Sequence, residues 1–137
     1  MQTNVRVPSN SPLYEIDLNT RTISAPETLG VQGDHMAERV YFKIDRFYET
    51  VDLAQMSCVV MYTTPDNKDY AYVVPFFDIT TATDKIIFPW DIQSVATEKS
   101  GIIKFAVKFF STTLTHNIPE VTYELNTLVA TSSIQKG

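Results

Sequence analysis

Few residues in this sequence have side chains that could carry nucleophilic or metal chemistry. The two histidines, His35 and His116, both fall in predicted loops, and neither belongs to a pair at the spacing of a zinc site. The single cysteine, Cys58, lies inside an apolar predicted strand, where burial raises the pKa of a thiol and makes it inert. The sequence therefore predicts no metal site and no thiol nucleophile.

Carboxylates are the remaining candidates for acid–base chemistry. Four of them are close in sequence: Glu38, Asp45, Glu49 and Asp52. A glycosidase needs two carboxylates that face each other across a sugar. Asp45 and Glu49 instead flank the end of a predicted strand, where acidic side chains are ordinarily solvated. We expect no enzyme activity and no catalytic residues, and a hydrolase that uses Asp45 or Glu49 is the weakest alternative.

Cofactor and cation loops are also not predicted. The four glycines stand at positions 30, 33, 101 and 137, and none opens a helix as in a phosphate-binding loop. Residues 66–69 offer oxygen ligands but lack the glycine and the distant glutamate of an EF-hand. A plain hairpin turn is the better interpretation of this loop, and we expect no cofactor.

The composition predicts a fold built from strands, so strands must position any functional side chains. The chain has 137 residues, which fits one domain, and contains 17 Thr, 13 Val and 11 Ile against 7 Leu and 8 Ala. Branching at Cβ favours strands over helices. The sequence therefore predicts an all-β fold with one sizeable core.

Charge narrows the classes of partner. Eleven basic residues against sixteen acidic ones leave a formal net charge of −5. A protein that binds the nucleic-acid backbone needs a basic stripe, and the sequence has none. No apolar run is long enough to span a membrane, and residues 1–12 lack the layout of a secretory signal. We expect neither a nucleic-acid partner nor a membrane partner.

Alternation of apolar and polar residues predicts strands at residues 13–18, 38–45, 70–74, 85–90, 103–110 and 121–127. Residues 56–63 are almost continuously apolar, which is typical of a central strand covered on both faces. Loops are predicted at residues 24–35 and 111–120. One short helix is predicted near residues 91–100, capped by Asp91 and stopped by Gly101.

This spacing of short strands predicts an immunoglobulin-like two-sheet β-sandwich. We expect an extended N-terminal arm over residues 1–12, the sandwich over residues 13–134, and a C-terminal tail or linker over residues 135–137. The inward phase of the strands assigns six residues to the core: Phe42, Phe88, Trp90, Phe105, Val107 and Tyr123.

Some aromatic residues do not fit any alternating pattern. These are Phe47 and Tyr48, which follow Arg46, and the pair Phe76 and Phe77 beside Pro75. Arg and aromatic residues are enriched at the centres of protein interfaces. The sequence therefore predicts a protein-contact surface formed by Arg46, Phe47, Tyr48, Phe76 and Phe77.

The order of these features resembles a known family over about residues 13–134. The family is the N-terminal β-sandwich module of structural proteins from tailed bacteriophages, including baseplate upper proteins and head-fibre or tail-fibre proteins. The matching stretches are residues 14–18, 40–42 with Arg46 and Tyr48, 52–53, 62–70 with Tyr72, 88–90, 101–107 and 123–127. The chain departs from the family in its hairpin, with Pro65, Asp66 and Asn67, and in having Tyr123 where members often have Trp.

The resemblance implies a non-enzymatic virion protein, assembled in the host cytoplasm. It would act as an assembly or attachment module of the baseplate, tail fibre or head fibre, or decorate a capsid. Its implied partners are other virion proteins and further copies of itself, as a homo-oligomer. The alternative is a carbohydrate-binding module that contacts a host cell-wall glycan, for which Tyr48 and Tyr72 are the candidate stacking residues.

Overall fold

The alternating segments of the sequence form the strands of two packed sheets, in a computed structural model that describes residues 5–34 and 39–137. The all-β sandwich predicted from the sequence is confirmed. In chain order the strands are β1 (Leu13–Asp17), β2 (Thr22–Ile23), β3 (Thr28–Val31), β4 (Arg39–Asp45), β5 (Phe47–Tyr48), β6 (Val51–Asp52), β7 (Ser57–Thr63), β8 (Asp69–Val73), β9 (Lys85–Asp91), β10 (Gly101–Thr115), β11 (Ile118–Asn126) and β12 (Ala130–Gln135).

The two sheets differ in size. The first contains four strands in the order β2-β1-β4-β9, and β1 and β4 run parallel. The second has the order β3-β12-β10-β7-β8, with β11 also paired to β10 and with β3 parallel to β12. Strands β5 and β6 form a small separate hairpin.

Aromatic side chains from both sheets meet in one core. Trp90 of the first sheet lies with its ring centroid 5.0 Å from that of Phe105 and 5.5 Å from that of Tyr62, both in the second sheet. Phe88 meets Phe109 edge to face at 5.8 Å. Such offset and edge-to-face contacts add to the stabilisation from apolar burial. The two sheets are therefore held together by the inward-facing side chains of β4, β7, β9 and β10.

Two segments predicted as loops are strands. Residues 24–35 contain β3, which pairs with β12 at the far end of the chain. Residues 111–120 complete a hairpin in which β10 and β11 turn at His116 and Asn117, with φ of 52° and 65°. These left-handed values are those of a two-residue type I′ turn. The two loop predictions are wrong over these strands, because neither segment buries an alternating apolar face that would mark a strand in the sequence.

Two further expectations need correction. Strand β7 is not covered on both faces: Cys58, Val60 and Tyr62 are buried, whereas Met61 is 37 % exposed on the outer face of a two-layer structure. The short helix is a single 3-10 turn at Ser94–Thr97. Asp91 does not cap it, because the strand β9 continues through Asp91.

The N-terminal arm packs on the first sheet within the described residues. Val7 is 4 % exposed and forms a small second cluster with Tyr41 and Ile87, against which Phe76 packs. The backbone N–H of Val7 donates to Asp78 Oδ2 at 2.8 Å. At the other end, β12 extends to Gln135, whose carbonyl accepts from Gln32 N–H.

Candidate functional site

The hairpin of β5 and β6 presents three of the predicted contact residues together. It follows β4 directly and is anchored by Leu53 N–H, which donates to the carbonyl of Arg46. Arg46 Nε and Nη2 donate to the two carboxylate oxygens of Asp52 at 3.0 and 2.9 Å. Such two-point pairing fixes the guanidinium plane. The strand pair therefore holds Arg46 in one orientation.

Phe47 is the exposed residue of this hairpin. Its side chain is 53 % exposed, and the Arg46 guanidinium lies 5.1 Å from the ring centroid. A cation over an aromatic face is attracted by the ring quadrupole. Because Asp52 holds Arg46 and Arg46 covers one face of the ring, Phe47 is an apolar anchor that is already ordered.

Tyr48 is held by a residue that is distant in sequence. Arg21 Nη2 donates to Tyr48 Oη at 3.1 Å, and its guanidinium lies 4.9 Å from the ring centroid. Arg21 also donates to the carbonyls of Leu18 and Asn126. Its φ of 63° is a left-handed value that costs energy for a non-glycine residue. We call Arg21, Arg46, Phe47 and Tyr48 the β5–β6 corner.

Charge in the corner is balanced locally. Hydrogen bonds from Arg46 lower the pKa of Asp52 against the opposing effect of burial, and the same bonds raise the pKa of Arg46. Burial raises the pKa of nearby Tyr123, an effect that Arg21 opposes. The corner therefore offers a rigid aromatic surface whose guanidiniums already have partners.

The other two predicted contact residues lie elsewhere. Phe77 is fully buried, with its ring centroid 6.1 Å from Phe88, so its assignment to an accessible surface is wrong. Phe76 is half-buried, and its ring centroid lies 5.9 Å from the guanidinium of Arg39. Arg39 is the first residue of β4 and Arg46 follows its last residue, Asp45, so the two lie at opposite ends of that strand, about 20 Å apart. Phe76 is therefore not part of the β5–β6 corner.

The residues assigned to the core occupy it to different degrees. Tyr123 is half-buried and packs against the edge of the core. The other five are at most 1 % exposed: Phe42, Phe88, Trp90, Phe105 and Val107.

Three of the side chains considered for chemistry are buried or paired with a cation. Cys58 is fully buried, and burial raises the pKa of its thiol well above the usual value. Asp45 forms an ion pair with Lys85, as Asp52 does with Arg46. His35 and Glu38 lie outside the described residues. Among residues 5–34 and 39–137, no group of three or more His, Cys, Asp or Glu could hold a metal ion.

The two tyrosines suggested for sugar stacking are constrained. Tyr72 is 8 % exposed, and its hydroxyl donates to Asp91 Oδ2 at 3.1 Å. Burial raises the pKa of Tyr72 to about 12. The guanidinium of Arg21 lies against the ring of Tyr48. A sugar would therefore find no open platform at Tyr72 and a partly covered one at Tyr48.

A second exposed feature was missed in the sequence. Beyond Ser57, the first residue of β7, strands β10 and β11 continue as a two-stranded ribbon, residues 111–122. Leu114 and Ile118 are 71 % and 63 % exposed, and Val121 is 52 % exposed. The sequence signal for this ribbon is its content of β-branched residues, since threonine, isoleucine and valine make up half of residues 111–122.

Comparisons with known proteins leave the family open. No protein-family model matches the sequence, and no curated protein matches it either. In the part of the chain that the structure describes, no helix is long and apolar enough to cross a membrane.

Proposed function

We propose that this chain is a non-enzymatic structural module of a bacteriophage virion, assembled in the host cytoplasm, that attaches to other virion proteins through the β5–β6 corner. Its place would be the baseplate, a tail fibre or a head fibre, and it would act as a homo-oligomer. The observation that carries the proposed contact is Phe47, an aromatic ring 53 % exposed at a rigid hairpin. The phage assignment itself rests on the resemblance of the sequence to such modules.

Pre-ordering explains why this corner suits attachment. Binding ordinarily costs the freedom of the side chains that become fixed. Here Asp52 fixes Arg46, Arg46 packs on Phe47, and Arg21 fixes Tyr48 before any partner arrives. Central aromatic and Arg residues supply most of the energy in many interfaces. Repeated copies in a symmetric particle would strengthen attachment as a whole without changing the individual contact.

The proposal is tested in phage particles. We expect mass spectrometry to find the chain in purified virions, and the Phe47→Ser variant to weaken attachment by at least about 2 kcal/mol, as for other interface anchors. Val73→Ser is the matched control, because Val73 is also an apolar surface residue, 69 % exposed, and lies on strand β8 rather than in the β5–β6 corner.

Three results would count against this proposal. Absence of the chain from purified virions would overturn the virion role. Equal incorporation of Phe47→Ser and Val73→Ser would remove the corner as the contact. Saturable binding on a glycan array that is lost in Tyr48→Ala would favour the carbohydrate-binding alternative.

A further inference from the structure

The ribbon of residues 111–122 has an open strand edge on one side. Along β10, even-numbered residues from Lys104 to Phe110 face β7, and the last pair is Phe110 with Ser57. No strand of the described residues pairs with β10 on this side beyond Phe110. Because directions alternate along a strand, Thr112 and Leu114 present their backbone N–H and C=O groups to the same side. The edge therefore carries unused donors and acceptors.

The opposite edge of the ribbon is blocked. Thr115 and Ile118 flank the two-residue turn and exchange backbone hydrogen bonds, so the next pair, Leu114 and Pro119, points its backbone groups outward. Proline has no N–H, and proline on a strand edge prevents a further strand from pairing there. A further strand can therefore pair with the ribbon only along its β10 edge.

We propose that the open β10 edge pairs with the same edge of a second copy of this chain, antiparallel and centred on Thr113. Thr112 of one copy lies opposite Leu114 of the other, and the two Thr113 residues meet at the two-fold axis. Thr112 and Leu114 both present backbone N–H and C=O groups to this edge. In this register those groups therefore find hydrogen-bond partners in both copies. A two-stranded ribbon is marginal in water, whereas four strands with an apolar face are not.

Charge favours a second copy at this place. Each copy has a formal net charge of −5, so most of its surface repels another copy. The ribbon contains one carboxylate, Glu120, and no Lys or Arg. In the order β11-β10-β10-β11 the two Glu120 side chains are at least three strand spacings apart, about 14 Å, which exceeds the Debye length of about 8 Å. The ribbon is a surface on which two acidic copies can meet.

This inference deepens one part of the proposed function, the homo-oligomer, and it rests on that part alone. The pairing involves few residues on each side, so the isolated dimer belongs to the small, weak class of interfaces. Many copies held in one particle would make the same contact effective. A covalent trap is therefore the appropriate test.

The test introduces one cysteine at a time on one face of β10. In Thr113→Cys, the two cysteines meet across the two-fold axis as a non-hydrogen-bonded pair, with Cα atoms about 4.5 Å apart, within the range of a disulfide. In the control Thr115→Cys they are four residues apart along the strands, about 13 Å. Cys58 is fully buried, so the wild type is a further control. Mild oxidation by air should link two thiols with loss of two electrons and two protons to oxygen.

We expect oxidised Thr113→Cys to give a disulfide-linked dimer and Thr115→Cys to stay monomeric. Adding Leu114→Pro should slow dimer formation about tenfold, because it removes an N–H that crosses the interface. The hairpin survives this change, since Leu114 lies at a pair that makes no hydrogen bonds within the ribbon. Equal cross-linking of the two cysteine variants, or none in either, would overturn the inference. The virion role would stand, because it is tested separately by the presence of the chain in purified virions.

Discussion

At the residue scale, Asp78 connects the N-terminal arm to the first sheet. Its carboxylate is 1 % exposed and accepts five hydrogen bonds, all from neutral donors: Val7 N, Thr80 N and Oγ1, and Thr81 N and Oγ1. Burial raises its pKa, but these hydrogen bonds outweigh burial and lower the pKa to about 2. The ionised carboxylate is thus part of the folded structure.

The pKa of Asp78 leads to a pH-dependent stability. The unfolded carboxyl has a pKa of about 3.9, so on acidification the unfolded chain takes up the proton first. The stabilisation, about 2–3 kcal/mol, is therefore complete above about pH 4 and lost as the pH falls toward 2. We expect Asp78→Asn to be destabilised relative to wild type at pH 6, with a difference that narrows on acidification. Urea unfolding across this pH range measures it, and a constant difference would contradict the assignment.

At the element scale, burial decided which strands could be predicted. Strands β4, β9 and β10 alternate cleanly, because one face of each lies in the core. Strand β3 contains Gly30 and follows Pro26, and its pairing with β12 joins residues about a hundred positions apart. Such a pairing is invisible to a local pattern. The ribbon was not predicted for a different reason. Both of its faces are exposed, so no alternation of apolar and polar residues marks it.

The candidate site could likewise be predicted only where its residues are close in sequence. Arg46, Phe47 and Tyr48 are consecutive, so a departure from alternation found them together. Arg21 joins them only because the turn after β1 packs beside β5, a contact across 27 residues that the sequence does not display. Phe77 was misplaced, because an aromatic residue outside a regular strand can still turn inward. Its burial depends on Phe88 and Phe109.

The ribbon is an addition to the sandwich that the core does not need. Residues 112–122 are all exposed. We expect replacement of residues 114–119 by Asn-Gly to keep the hairpin, since Thr113 and Glu120 are a hydrogen-bonded pair that suits a two-residue turn. The free energy of unfolding should change by less than about 0.5 kcal/mol. A larger loss in thermal or urea unfolding would show that the ribbon supports the core.

At the scale of the whole molecule, two sheets share one aromatic core while the proposed contact surfaces lie at its margins. The β5–β6 corner follows the end of β4, and the ribbon continues β10 past the first residue of β7. Surface elements attached to a rigid sandwich can change without loss of the fold. This separation lets attachment and self-association be altered independently by Phe47→Ser and Leu114→Pro.

Trp90 tests whether the two sheets share one core. It is fully buried between Phe42, Tyr62 and Phe105, and its Nε1 has no hydrogen-bond partner among the described residues. We expect Trp90→Ala to cost about 3–5 kcal/mol, as large-to-small core changes do. Trp90→Phe keeps a ring and removes the unpartnered N–H, so its cost should be clearly smaller. Urea unfolding followed by circular dichroism measures both, and a loss below about 1 kcal/mol in Trp90→Ala would contradict a shared core, since that change would then open no cavity between the sheets.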